Sequence, residues 1–342
     1  MHCRHPAIIP LATGLLFAIW LGAGCDRGEP AAPPAVLGPE QEPLRIRADT
    51  LLSAGRTADA HRIAAQLVEE GPGDWRSHEL MARVHMQQAI TLRTEGLMEA
   101  SKQSLSLAAD AYQASIASDP QVAGLFRSGA DAAQMAGRPN LAMQWYRRAA
   151  ELDPSDPRVP LRLAQVVFES DPARARRLLG DVLALDASIP EAHASLALLD
   201  ALAGHADAAR AHMKTAVELA TDVPALRVVQ ARMLRVLGEP QRGAEILLAL
   251  PAVDRAAEPT AAELARCWTE AGRHAAAADA WSDCFQQNAH RTDAWQFALH
   301  AAESAMLAGD EPRAAGLLRQ AALLSAPPER MEAIRAIAAE GR

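Results

Sequence analysis

The stretch GRPNLAMQWYRRAAELDP, residues 137–154, holds one complete unit of the pattern on which the chain is built. Its small residue Ala142 is followed four places on by Tyr146, three more on by Ala149, and then by Asp153-Pro154. On a helix these positions share one face, so a small residue opens a close crossing and a large one fills the next turn. Gly137-Arg138-Pro139 before them reads as a turn that ends one helix and starts the next. Downstream, the small position recurs at Ala175, Ala209, Gly243, Ala277 and Ala314, with successive separations of 33, 34, 34, 34 and 37 residues. Upstream it is found at Ala108 and Ala60. Glycines precede it by five residues at Gly55, Gly137, Gly204, Gly238, Gly272 and Gly309, while Ser170 stands in that place before Ala175. A second series, Ala130, Ala164, Ala197, Ala231 and Ala265, marks the helix that comes before each of these.

A 34-residue period of paired amphipathic helices resembles the tetratricopeptide repeat, whose second helix and closing proline are matched by Ala142, Tyr146, Ala149 and Pro154. The resemblance implies an all-α, right-handed solenoid of about eight helix pairs over residues 44–342. A last helix near 329–339 would cap the open end. Composition agrees: half the residues are apolar but only 4% are aromatic, too few for a sandwich or barrel. One pair departs from the rule. Ala60 and Ala108 are 48 residues apart, which predicts long helices over about 75–93 and 97–118. Two readings stand for that hairpin: a docking knob exposing Met86, Leu92, Leu97 and Met98, or an extension packed over the first repeat.

The N-terminus reads as an export segment. Arg4 precedes an uncharged run, residues 6–24, that ends in Leu21-Gly22-Ala23-Gly24-Cys25. This resembles a bacterial lipoprotein signal, which implies acylation of Cys25 and anchoring to a membrane on the export side. Gly22 stands where such signals more often carry Leu. An uncleaved anchor and a plain secretory signal remain as alternatives. The expected organisation is therefore a signal at 1–24, a lipidated Cys with a proline-rich tether at 25–43, and the solenoid beyond.

No catalytic or cofactor motif is present: there is no P-loop, nucleophile elbow, dinucleotide glycine pattern or C-x-x-C. His78 and His85 are seven residues apart, whereas a zincin pair is four apart, so no metal site is expected. A net charge of −8 offers no general attraction for nucleic acid, and no small-molecule substrate is expected either. Cys267 and Cys284 are expected to be free and buried.

What remains is a surface for a protein or peptide partner. Transferred by position, the resemblance puts the partner face on the first helix of each pair. The residues are Arg127, Asp131 and Gln134; Arg158, Gln165, Phe168 and Glu169; Arg232 and Arg235; Arg266 and Glu270; and Gln296, His300 and Glu303. Arg127 and Asp131 stand where the family's carboxylate clamp has Lys and Asn, so that clamp is not expected. Arg232, Arg235 and Arg266 form the sharper cluster, either open to carboxylates or paired with Glu270. These features suggest a non-enzymatic scaffold or adaptor of a cell-envelope complex. The alternatives are a subunit that activates a separate envelope enzyme and a purely structural spacer.

Overall fold

A computed structural model describes residues 38–118 and 121–340. The signal-like run, Cys25 and the proline-rich residues 26–37 lie outside the described residues. Successive helices pair as α1 (Glu42–Ser53) with α2 (Thr57–Glu70), α3 (Trp75–Thr94) with α4 (Met98–Ser118), and α5 (Ala123–Met135) with α6 (Pro139–Leu152). The next pairs are α7 (Arg158–Val167) with α8 (Pro172–Leu185), α9 (Pro190–Leu202) with α10 (Ala206–Leu219), and α11 (Pro224–Val236) with α12 (Pro240–Leu248). A single turn, α13 (Ala252–Arg255), precedes α14 (Glu258–Glu270) with α15 (His274–Gln287) and α16 (Trp295–Leu307) with α17 (Glu311–Leu323); α18 (Pro328–Glu340) closes the array. The described residues therefore form an all-α solenoid of eight pairs and a terminal helix. No helix among them is long and apolar enough to cross a membrane.

The turns explain why the pairs form. Gly137 has φ +75°, a left-handed conformation in which a side chain would be strained. Arg138 then donates its N–H to Ala133 O at 2.8 Å, closing the preceding helix. Six further first helices end on a glycine with the same hand, and in each the following residue makes the same bond at 2.7–2.9 Å. The α7–α8 turn, which has Ser170, differs. Asp171 caps α8 there by accepting from the Arg174 N–H at 2.9 Å. At the other end, α1 begins at Glu42, two residues before the expected boundary at 44. Pro43 is tolerated there because a first-turn N–H has no helical partner to lose.

All eight small positions of the sequence series are buried in the crossings between paired helices. The large residues four places on follow them inward: Tyr146, Leu179 and Leu247 are fully enclosed and Met213 is nearly so. Each such side chain contributes about 1.5–3 kcal/mol of apolar burial. Gly243 is the one small residue that must be glycine. A Cβ there would sit 2.8 Å from the carbonyl oxygen of Ala231 on α11 and 3.1 Å from Cys267 Sγ on α14. Cys267 and Cys284 are both unpaired and fully buried, and burial, the largest influence, pushes each thiol up to about 12.

Two departures from the 34-residue period meet in space. Residues 288–294, the loop between α15 and α16, are three longer than the four-residue loops before α3, α9 and α11, which accounts for the 37-residue spacing. The tip of the long α3–α4 hairpin docks on this loop. Thr292 donates its Oγ1 hydroxyl to Gly96 O at 2.9 Å and its N–H to Glu95 O at 3.3 Å. Gly96 has φ +78°, and a Cβ on it would lie 2.8 Å from Arg291 Cβ. Each reading holds in part: α3 packs on the first pair, while Leu97 and Met98 at the tip stay exposed, but the tip is not free. The hairpin is a tie between the second pair and the junction of the last two.

Candidate binding groove

The first helices α9, α11 and α14 pack side by side, so their outward faces make one continuous surface. A hollow of about 320 Å³ lies across all three, with Leu198, Val228, Val229 and Ala262 as apolar floor and Arg232 and Arg266 as basic wall. It shares Glu258, Ala262 and Arg266 with a second hollow of about 460 Å³ that continues between α14 and α16. Trp281 and His300 form that end, their rings stacked with centroids 4.7 Å apart. His300 Nδ1 lies 3.9 Å from Glu303 Oε2, and the interaction with His300, the largest influence, holds that carboxyl below its usual range. A roomier hollow of about 600 Å³ lies between α2 and α3, but its arginine, Arg56, is already paired with Asp59.

The arginine cluster divides in two. Arg235 points inward, its side chain only 17% exposed, donating from Nε to Glu263 Oε1 and from Nη1 to Glu270 Oε1, both at 2.6 Å. Burial alone would lower its pKa. The bonds to Glu263 and Glu270 outweigh that and keep it above the ordinary value. Arg235 is therefore a structural pin between α11 and α14 and does not form part of the open wall. Arg266 is exposed, with a single long contact of 3.4 Å to Glu263. Arg232 is exposed and, among the described residues, makes no hydrogen bond or ion pair. The carboxylates nearest the basic wall are engaged, Glu258 with Arg291 and Glu263 and Glu270 with Arg235, while Glu303 lies 3.9 Å from His300.

Most of the earlier first-helix residues are engaged elsewhere in the array, while Glu169 is exposed. Arg127 and Arg158 both bond Asp156, Arg158 through Nε at 2.7 Å and through its backbone N–H at 3.0 Å. Asp131 accepts from the Tyr146 hydroxyl, which also contacts Gln134 Oε1 at 3.2 Å. Gln165 accepts from Arg162 at 3.0 Å, and Phe168 packs against the core between α7, α8 and α9. Only Arg232, Arg266, Glu270, His300 and Glu303 of the expected residues line the groove. Reading the sequence missed Glu263 and Trp281. The one available signal for Glu263 was its spacing from Arg266 and Glu270, three and seven residues along the same helical face.

The Asp156 knot gives a pH prediction. Burial, the largest influence, would raise its pKa, but the bonds from Arg158 and Arg127 together prevail and leave it lowered. A carboxyl lowered on folding stabilises the fold above its unfolded pKa, about 4, and that support is lost as pH falls through the folded value. The melting temperature of the wild type should therefore exceed that of Asp156→Asn at pH 7, and the gap should close below about pH 4. Two parallel melting curves from pH 7 to pH 3 would contradict this.

Neither a family model nor a curated protein sequence matches the chain. Solved structures do. A tetratricopeptide repeat protein from Parabacteroides merdae superposes with a TM-score of 0.53 at 12% identity, covering 88% of this chain and 99% of that one. The assembly chaperone of RpL4, Acl4, gives 0.51 at 16% identity over 69% of this chain and 97% of that one. A chain of the APC/C hetero-tetramer Cut9–Hcn1 gives 0.50 at 15%, over 86% and 55%. At these identities the likeness is one of fold. The described chain is an all-α solenoid with the fold of the tetratricopeptide-repeat proteins.

Proposed function

We propose that this protein is a non-enzymatic interaction scaffold that takes up a carboxylate-bearing, extended segment of a partner protein in the groove over α9, α11, α14 and α16. The observation that carries this reading is Arg232, an exposed guanidinium with no partner beside an apolar floor whose neighbouring carboxylates are all engaged. A planar guanidinium can grip a carboxylate through two parallel bonds, and Arg266 offers a second one nearby. Val228, Val229 and Ala262 supply apolar contact, and the Trp281–His300 stack offers a flat seat at the far end. The acylation site at Cys25 would hold the scaffold to a membrane on the export side, and the lipoprotein-like run before it supports this.

The test is a pull-down from detergent-solubilised native membranes with the wild type and with Arg232→Glu/Arg266→Glu. Arg235 is left in place because it is a fold residue. The wild type should retain a stoichiometric partner that the double variant loses, with unchanged circular dichroism. Mass spectrometry of the N-terminal peptide should show diacylglyceryl-modified Cys25. A partner held equally by both proteins would remove the groove from the proposal, and an unmodified or absent Cys25 peptide would remove the lipid anchor.

A further inference from the structure

Away from the groove, α9 and α10 bring two histidines face to face. His193 Nδ1 and His212 Nδ1 are 3.5 Å apart, with ring centroids at 5.7 Å and planes tilted by 35°. The opposite nitrogen of each ring faces an oxygen acceptor, within hydrogen-bond distance for His193 and just beyond it for His212. His193 Nε2 lies 3.1 Å from the carbonyl oxygen of Ala187, an acceptor only, so Nε2 carries the proton and Nδ1 presents a lone pair. His212 Nε2 faces Asp200 Oδ2 at 3.8 Å. Asp200 is 2% exposed, and that oxygen is buried without a hydrogen-bond partner, while its other oxygen is held by Arg176 at 2.7 Å. The orphaned oxygen favours a proton on His212 Nε2, which leaves His212 Nδ1 as a second lone pair aimed at the first.

Two lone pairs facing each other across 3.5 Å repel unless something electrophilic sits between them. Tetrahedral coordination with metal–nitrogen bonds of about 2.0–2.1 Å puts two imidazole nitrogens roughly 3.3–3.4 Å apart. Metal-bound histidines also donate their other N–H to a carboxylate or a backbone carbonyl, and Asp200 and Ala187 are placed for these two roles. We propose that His193 and His212 form a seat for one divalent ion of the copper, nickel and zinc class, bridging α9 and α10. No group of three or more His, Cys, Asp or Glu among the described residues is placed to hold a metal, so water completes the coordination sphere. Both rings are half-buried, open enough for the ion and its waters to enter.

The experiment is calorimetric titration of the metal-stripped full chain with Cu²⁺, and separately with Zn²⁺, in a non-chelating buffer. The variants are His193→Gln, His212→Gln and Asp200→Asn, with His61→Gln as control because His61 belongs to a different histidine pair, with His85. The wild type should bind one equivalent. Affinity should fall at least tenfold in each of His193→Gln and His212→Gln, by about 10–100-fold in Asp200→Asn, and stay unchanged in His61→Gln. The copper-loaded wild type should show electron paramagnetic hyperfine structure from two nitrogens. Thermal melts of the metal-free glutamine variants, matched to wild type, separate loss of binding from loss of fold. Absence of a saturable equivalent in the wild type would overturn the proposal, leaving a proton shared between the rings. Equal affinity in wild type and in both glutamine variants would overturn it as well.

Discussion

Arg235→Ala is expected to destabilise the fold by about 3–5 kcal/mol, because it leaves a buried carboxylate without its counter-charge. Glu263 is 2% exposed and receives its short bond from Arg235; the contact from Arg266 is longer, at 3.4 Å, and comes from an exposed side chain. Desolvation of Glu263 is already complete in the fold, so nothing replaces the lost guanidinium except partial help from Arg266. That help places the expected loss nearer 3 than 5 kcal/mol. Glu263→Gln should cost less, since a neutral amide has no charge to leave uncompensated. Arg235→Leu/Glu263→Leu together should recover much of the loss, because replacing both charges by apolar groups removes the penalty at its source. Urea denaturation of the four proteins would decide. A loss under about 1 kcal/mol for Arg235→Ala would mean that the pair is solvated and ordinary. The result also governs how binding is tested, since any variant lacking Arg235 reports on folding as well as on the groove.

Asp74→Ala is expected to release the first helix pair, at a cost of about 3–5 kcal/mol confined to that end. Asp74 is fully buried at the start of α3, where its Oδ2 accepts from the Ser77 N–H at 3.2 Å, the Ser77 hydroxyl at 2.7 Å and Arg45 Nη2 at 2.8 Å. It therefore caps one helix and neutralises an arginine from another. Losing the cap alone costs about 1 kcal/mol. The larger part comes from Arg45, whose side chain is 10% exposed and would keep only its bond to the exposed Glu42. In a stacked array each pair leans on its neighbours, so a terminal pair can open while the rest stays folded. Hydrogen exchange should then show amides of α1 and α2 losing protection while α5 to α12 keep theirs. Asp74→Asn, which still accepts at the cap, should lie between. Unchanged protection in α1 and α2 would refute the assignment.

Much of the fold was legible because one physical requirement recurs every 34 residues. A close helix crossing admits only a small side chain, and a reversal between helices favours glycine, so Ala142 and Gly137 marked both within a single stretch. The substitution of Ser170 for glycine was visible too, although its remedy, the Asp171 cap, was not singled out. The groove was legible in outline and wrong in emphasis. Position on a first helix says which way a side chain leaves the backbone, but not whether a partner waits there. Arg127, Asp131 and Arg235 all face such partners, and Asp156, Tyr146 and Glu263 lie 29, 15 and 28 residues away, on the α6–α7 loop and on other helices. The His193–His212 pair escaped notice for the same reason. A repeat period reports which pairs are neighbours; it is silent about polar matches between their faces.

The bond between Thr292 and Gly96 spans 196 residues of chain, and it changes the mechanics of everything between them. A stack of helix pairs joined only to nearest neighbours stretches like a spring, each interface yielding a little under load. Here the arc from α5 to α15 is strung across the α3–α4 hairpin, whose helices are about 30 Å long. Extending or uncoiling that arc first requires the hairpin tip to pull free of the loop. The molecule is stiff until that latch parts and compliant afterwards, so a force–extension trace should show one early step before the gradual yielding of the pairs.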